Sequence, residues 1–278
     1  YCNATIKKHQ YYYLFKNAAY NACEVVNRAL KDSMMPRFIN EPNLIPIRKM
    51  NTLTQIPFGV CEDYNIRALS VMRAKGIPTI IDFTPQWPFR SLGHSWNVLI
   101  ETSGKKVIFE GTGESPATPH KEEHTMAKVF RKTYAINKEI LEMHVKEKHI
   151  PPTFSNLFIK DVTPEYLTTC DINLSIKSPH EHTYGYLAVF DNEKWVPIHY
   201  GKISKKNKVT FDKMCKRIAY LPVFYEAAGI KSFSDPIVLT ISGNQVRLTP
   251  DTLTKQTLVL KRKFSAFENL YKVADSVV

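Results

Sequence analysis

Apolar positions follow two different periods along this chain. Between Tyr11 and Leu30, Leu14, Ala18, Ala22, Val25, Val26 and Ala29 fall on one side at helical steps, which predicts a first helix whose "YYYLF" aromatics pack. Asp32, Ser33 and Pro36 end it, and "EPNLIPIRK" is a proline-marked connection. A second helical stripe, Ile66, Leu69 and Met72 with Ala68 and Val71 beside them, lies in "FGVCEDYNIRALSVMRAKGIP" (58–78). Glu62 and Asp63 in its first turn and Arg73 and Lys75 in its last complement the helix dipole. Gly76 stops it and Pro78 prevents its resumption.

Farther on the period shortens to two. His94, Trp96, Val98 and Ile100 alternate with Ser95, Asn97 and Leu99, and Lys106 to Phe109 reads as a second strand, giving a hairpin around Thr102-Ser103-Gly104. Its register is open to two readings. A two-residue turn at Ser103-Gly104 sets position 97 opposite 110 and turns Glu110 away from His94. A three-residue loop with Gly104 in the left-handed conformation sets 96 opposite 110, so that Glu110 lies diagonally across from His94, about 7–8 Å away between backbones. From Tyr166 onward, strand-like runs ("CDINLSI", "YGYLAVF", "WVPIHYG", "KVTF", "IAYLPVFY", "IVLTIS", "TLVLKRKF") are separated by turn residues, as in an antiparallel sandwich. The expected class is α+β, with a cysteine-bearing helix packed on an antiparallel sheet in residues 1–150 and a β-sandwich-like C-terminal domain in 151–278. The boundary is expected near Pro151-Pro152.

Cys61 stands where the second helix begins. The positive end of a helix stabilises a thiolate, the species that attacks carbonyls. A buried, inert cysteine is the competing reading. The spacing permits Cys61, His94 and Glu110 to converge without requiring it.

At these residues the chain resembles the transglutaminase-like cysteine acyl-transfer enzymes, which include transglutaminases, related microbial proteases and peptide N-glycanases. The resemblance covers about residues 57–116: "GVCEDYNIRALSVMRAKGIP", "GHSWNVLI" in the place of the family's His-x-Trp strand, then an acid ending the next strand. It implies Cys61 as nucleophile, His94 as general base and acid, and Glu110 as the group that orients the imidazole. The family's third residue is usually Asp, so Asp82 in "IIDFTPQW" is the alternative. The mechanism implied is attack on an amide carbonyl through a thioester, with the Cys61 N–H as first oxyanion donor and Gln55 as a candidate second. Trp96 is expected as a wall beside the histidine or as core, and Trp87 as a loop residue that contacts substrate or caps the core. More distantly, "MAKVFRKTYA", "KDVTPEYLTTCDI" and "YLAVFDNEKWVPIHYG" resemble secreted transglutaminase-domain proteins of gut Bacteroidetes, which implies a secreted, periplasmic or cell-surface location.

Composition narrows the partners. The chain has 278 residues, 44% of them hydrophobic, and no apolar run of the roughly 18 residues a membrane helix needs, so no membrane span is expected. The net charge of +12 is spread evenly, +7 over residues 1–150 and +5 over 151–278. Without a basic block or stripe, nucleic acid is not an expected partner. The five cysteines, at 2, 23, 61, 170 and 215, are too sparse for a disulfide-built fold. His120, Glu123 and His124 in "HKEEH" match a zinc-peptidase spacing, but their charged surroundings argue against a metal there. His180 and His182 in "SPHEH" read as a polar loop. No metal and no cofactor is expected. The leading expectation is a cysteine enzyme acting on amide bonds of peptide, glycopeptide or protein, with hydrolysis favoured over cross-linking. The second is a noncatalytic glycan- or protein-binding protein in which Trp195, Tyr184, Tyr186 and Tyr200 of the C-terminal domain form a sugar platform.

Overall fold

The computed structural model describes residues 18–33, 37–38, 49–88, 90–116, 118, 126–177, 181–249, 251 and 253. It is a mixture of helix and antiparallel sheet, with strands predominating. The first helix, α1 (Ala18–Asp32), is followed by the two-residue β1 (Arg37–Phe38), the short α2 (Met50–Gln55) and β2 (Phe58–Gly59), which pairs with β1 in parallel. The predicted second helix is α3 (Cys61–Ala74), and Gly76, at φ +75°, ends it. That conformation suits a residue without Cβ.

Five antiparallel strands follow: β3 (Thr79–Thr84), β4 (His94–Ile100), β5 (Lys106–Phe109), β6 (Phe130–Lys132) and, after helix α4 (Lys138–Lys146), β7 (Ile159–Asp161). Their spatial order is β5-β4-β3-β6-β7, and α3 packs across β3 and β4. Ala68 and Met72 of α3 join Cys23, Val26 and Leu30 of α1 and Leu99, Val107 and Phe109 of the sheet in one apolar cluster. The buried face of α3 is rotated from the expected stripe. Ile66 and Leu69 are only half-buried, whereas Asp63, Tyr64, Asn65 and Arg67 are buried with Ala68 and Met72. No apolar stripe in the sequence marks helix α4; Asn137 caps it, its side chain accepting from the Glu139 and Ile140 N–H groups at 3.0 and 3.2 Å.

The remaining strands are β8 (Thr169–Ser175), β9 (Tyr184–Phe190), β10 (Trp195–Lys202), β11 (Lys208–Cys215), β12 (Ile218–Glu226), β13 (Gly229–Ser232), β14 (Ile237–Leu239) and β15 (Gln245–Arg247). They form a six-stranded sheet, β10-β9-β12-β14-β15 with β13 also on β12, and a two-stranded sheet, β11-β8. Ile172, Leu174, Val209 and Phe211 of the small sheet share a core with Leu187, Val189, Ile198 and Tyr220 of the large one. Packing also crosses position 150/151: Phe130, Ile140 and Met143 cluster with Phe154, Tyr184, Tyr186 and Val223. Tyr184 and Tyr186 are therefore core residues, not an open sugar platform. Contacts group the described residues up to Leu248 as one compact unit. The expected strand at "TLVLKRKF", the "HKEEH" segment and His180 lie outside the described residues, as does the first helix before residue 18. His182 is half-buried, its Nδ1 3.3 Å from Glu147. No described helix is long and apolar enough to cross a membrane.

Candidate active site

Cys61 is the first residue of α3, after Val60 in an extended conformation. The chain is fixed there by Asp63, whose carboxylate Oδ2 accepts the Val60 N–H at 2.9 Å. The free N–H groups of a helix's first turn carry partial positive charge, so the sulfur lies where an anion is favoured.

His94 opens β4 and pairs with Thr84 of β3. Whether Glu110 reaches it depends on the hairpin loop. Gly104 has φ +82°, the Glu101 N–H donates to the Lys105 carbonyl at 2.8 Å, and Asn97 pairs with Phe109. This is the three-residue loop, and it continues the register so that 96 faces 110. His94 Nε2 lies 2.9 Å from Glu110 Oε1, with the two side chains 23% and 29% exposed. The imidazole also hydrogen-bonds the Cys61 side chain. Cys61, His94 and Glu110 are thus brought together. Asp82 is engaged elsewhere: its buried carboxylate receives Arg131 Nε and Nη2 at 2.8 and 2.7 Å and the Tyr166 hydroxyl at 2.6 Å.

Two indole rings flank the imidazole. Trp87, 2% exposed, stacks on His94 with ring centroids 6.1 Å apart, and Trp96, 1% exposed, tilts against it at 5.9 Å. Trp96 Nε1–H donates to the Tyr166 hydroxyl at 3.0 Å, which ties it to Asp82. Their burial makes both residues walls of the histidine and leaves little ring surface to offer a substrate. Gln55 ends α2 with its side chain exposed.

Three polar residues that the sequence did not single out complete the surroundings. Ser95 Oγ–H donates to Cys61 Sγ at 3.5 Å. Asn65 bonds Ser95 and the Gly111 N–H. Asn27 of α1 holds the turn after β5, donating to the Glu110 and Glu114 carbonyls at 3.1 and 3.2 Å and accepting the Thr112 N–H at 3.0 Å. Periodicity marks buried polar residues as breaks in a stripe, so it carries no signal for them.

The electrostatics follow from these contacts. Burial pushes the Cys61 thiol up, but hydrogen bonds from His94 and Ser95 and the imidazolium charge outweigh it, and its pKa falls below the ordinary 9.0. Burial disfavours charge on His94 as well. Its bonds to Cys61 and Glu110 and their negative charges reverse that, raising it from 6.5 to about 9. Buried Cys23 and Cys215 are pushed up to about 12 by desolvation, and Cys170 is also raised by burial. Cys61 is the described cysteine whose surroundings favour the anion. All four described cysteines are free thiols.

Away from this site, Asp161, His199 and Asp212 present ligand atoms within 4.8 Å of one another. Lys128, 0% exposed, places Nζ 2.5 Å from Asp161 Oδ2 and 2.7 Å from the Asp212 carbonyl oxygen. Burial lowers the Lys128 pKa from its ordinary 10.5, and the charges of Asp161 and Asp212 oppose that fall. A lysine side chain already occupies the space beside these ligand atoms.

No protein-family model and no curated protein matches the chain. Among solved structures, a "putative cysteine protease" from Cytophaga hutchinsonii is similar over 41% of this chain and 38% of its own length, at 14% identity and a TM-score of 0.29. A likeness that slight carries no argument about mechanism, which is therefore built on the geometry of Cys61, His94 and Glu110.

Proposed function

We propose that this chain is a cysteine-dependent acyl-transfer enzyme that acts on amide bonds of peptides or glycopeptides. The observation that carries this reading is the contact of one imidazole with both a half-buried cysteine at a helix N-terminus and a carboxylate. A thiolate–imidazolium pair supplies nucleophile and general acid together. The Cys61 sulfur attacks the carbonyl carbon, and the Cys61 N–H, directed out of the first turn, faces the developing oxyanion. As the tetrahedral intermediate collapses, the C–N bond breaks and His94 gives its proton to the leaving amine, which leaves an acyl-thioester and a neutral imidazole. Water then attacks the thioester while His94 takes its proton. The C–S bond breaks, acid is released, and thiolate and imidazolium re-form. Glu110 keeps the ring oriented through both steps and steadies its charge. Water needs no dedicated acceptor site, which favours hydrolysis over cross-linking.

The test is a screen of peptide and glycopeptide amide and ester probes, with mass spectrometry of the intact chain. An acyl group trapped on Cys61 and lost in Cys61→Ala supports the proposal. Probe turnover that survives Cys61→Ala contradicts the proposal, and glycan binding with no acyl group trapped by any probe favours a noncatalytic scaffold.

A further inference from the structure

We propose that Asn65 is a positioning residue that holds the nucleophile, the base and the acid in mutual register. The inference rests on the cysteine-enzyme reading and deepens it. Asn65 lies four residues after Cys61, one turn along the same helix face, and is 2% exposed. Its Nδ2 donates to the Ser95 carbonyl at 2.6 Å and lies 3.2 Å from Ser95 Oγ, its Oδ1 accepts the Gly111 N–H at 3.1 Å, and its own carbonyl accepts Asn97 Nδ2 at 3.0 Å. Ser95 is the neighbour of His94, and Gly111 is the neighbour of Glu110. One carboxamide on the nucleophile's helix therefore grips the strand that carries the base and the turn that carries the acid.

The chemistry demands an amide. The Ser95 end needs a donor and the Gly111 end an acceptor, and only a carboxamide of this length offers both. The polarity also extends to the sulfur. Because Nδ2 donates to Ser95 Oγ, the single hydroxyl hydrogen is left to point at Sγ, 3.5 Å away. Gly111 fits the same arrangement. A Cβ there would come within 2.5 Å of the Ala68 Cβ and 2.8 Å of the Tyr64 carbonyl, so the acid-bearing turn lies directly on α3.

The experiment is site-resolved alkylation of the full-length chain by iodoacetamide across pH, with thermal midpoints measured in parallel, on wild type, Asn65→Asp, Asn65→Ala and Ser95→Ala. Asn65→Asp keeps the volume and removes the donors. The expected result is a Cys61 profile displaced toward that of Cys170, with the rate near pH 6 reduced on the order of 10-fold for each pH unit by which the thiol rises. A purely structural role would lower the midpoint and leave the profile where it was, and that result overturns the proposal. Should the Asn65 variants fail to fold, Ser95→Ala decides, since an unchanged Cys61 profile there breaks the chain of bonds on which the inference depends. Failure of the enzyme reading itself looks different: wild-type Cys61 would then alkylate no faster than Cys170.

Discussion

Replacing Glu110 with glutamine separates the charge of the acid from its shape. Glutamine can still accept the His94 Nε2–H through its carbonyl oxygen, so the ring keeps its orientation while the imidazolium loses an anion 2.9 Å away. An opposite charge at that range raises an imidazole by about 1–3 pH units. Both side chains keep some contact with solvent, at 23% and 29% exposed, and His94 keeps its sulfur partner, so the lower end applies. One unit corresponds to about 1.4 kcal/mol of imidazolium stabilisation. In Glu110→Gln the titration of His94 should therefore fall from about 9 by roughly one unit. Turnover of any probe that acylates Cys61 should decline by on the order of 10-fold near neutral pH. Glu110→Ala, which also frees the ring, should move toward the loss of about 10²–10⁴ expected when general acid–base catalysis fails. NMR titration of the His94 ring, beside probe turnover against pH, reads both effects. A His94 titration identical in wild type and Glu110→Gln would refute the claim that the carboxylate steadies the imidazolium.

Other consequences follow from the same contacts. Iodoacetamide near pH 7 should label Cys61 first, Cys170 later and Cys23 and Cys215 last, because the buried pair is pushed up to about 12; peptide mapping showing Cys170 equal to Cys61 would contradict this. The pair also sets a pH window for stability. Raised His94 contributes fully below 6.5 and loses its contribution as pH climbs through about 9, while lowered Cys61 contributes fully above 9.0 and loses it as pH falls toward its folded value. Between 6.5 and 9 the two trends oppose each other in wild type, whereas Cys61→Ala keeps only the His94 trend, which Glu110 sustains, so the stability of the variant should fall more steeply with rising pH than that of wild type in denaturant titrations. Lys128→Ala leaves Asp161 without its cationic partner and should destabilise by about 3–5 kcal/mol in the same titrations, without altering the Cys61 alkylation profile; an effect below about 1 kcal/mol would mean the ion pair contributes little net energy.

The parts of the site that could be read in the sequence are those set by local rules. Gly76 and the end charges mark α3, and Gly104 selects the loop that brings Glu110 to His94. The β8, β9, β10 and β12 runs announce themselves as strand-like stretches bounded by turn residues. What escaped depends on tertiary contact. Asn65 is buried because it bonds two other elements, and nothing about an asparagine between Tyr64 and Ile66 reveals that. The same burial turns α3 so that Tyr64, Ala68 and Met72, rather than Ile66 and Leu69, face the core. Helix α4 buries only Ile140 and Met143 within nine residues, too short a stripe to stand out from the charged residues around it. The shared core across position 150 was hidden because strand patterning says which faces are apolar, not which neighbours cover them.

The central claim is that sulfur and imidazole exist as an ion pair in the resting protein. Ultraviolet difference absorbance of the thiolate, wild type minus Cys61→Ala, measures this directly as pH is varied. The account predicts a Cys61 thiolate signal whose midpoint lies below the ordinary thiol value of 9.0. A signal absent at neutral pH and rising with a midpoint at the ordinary thiol value of 9.0 would contradict it.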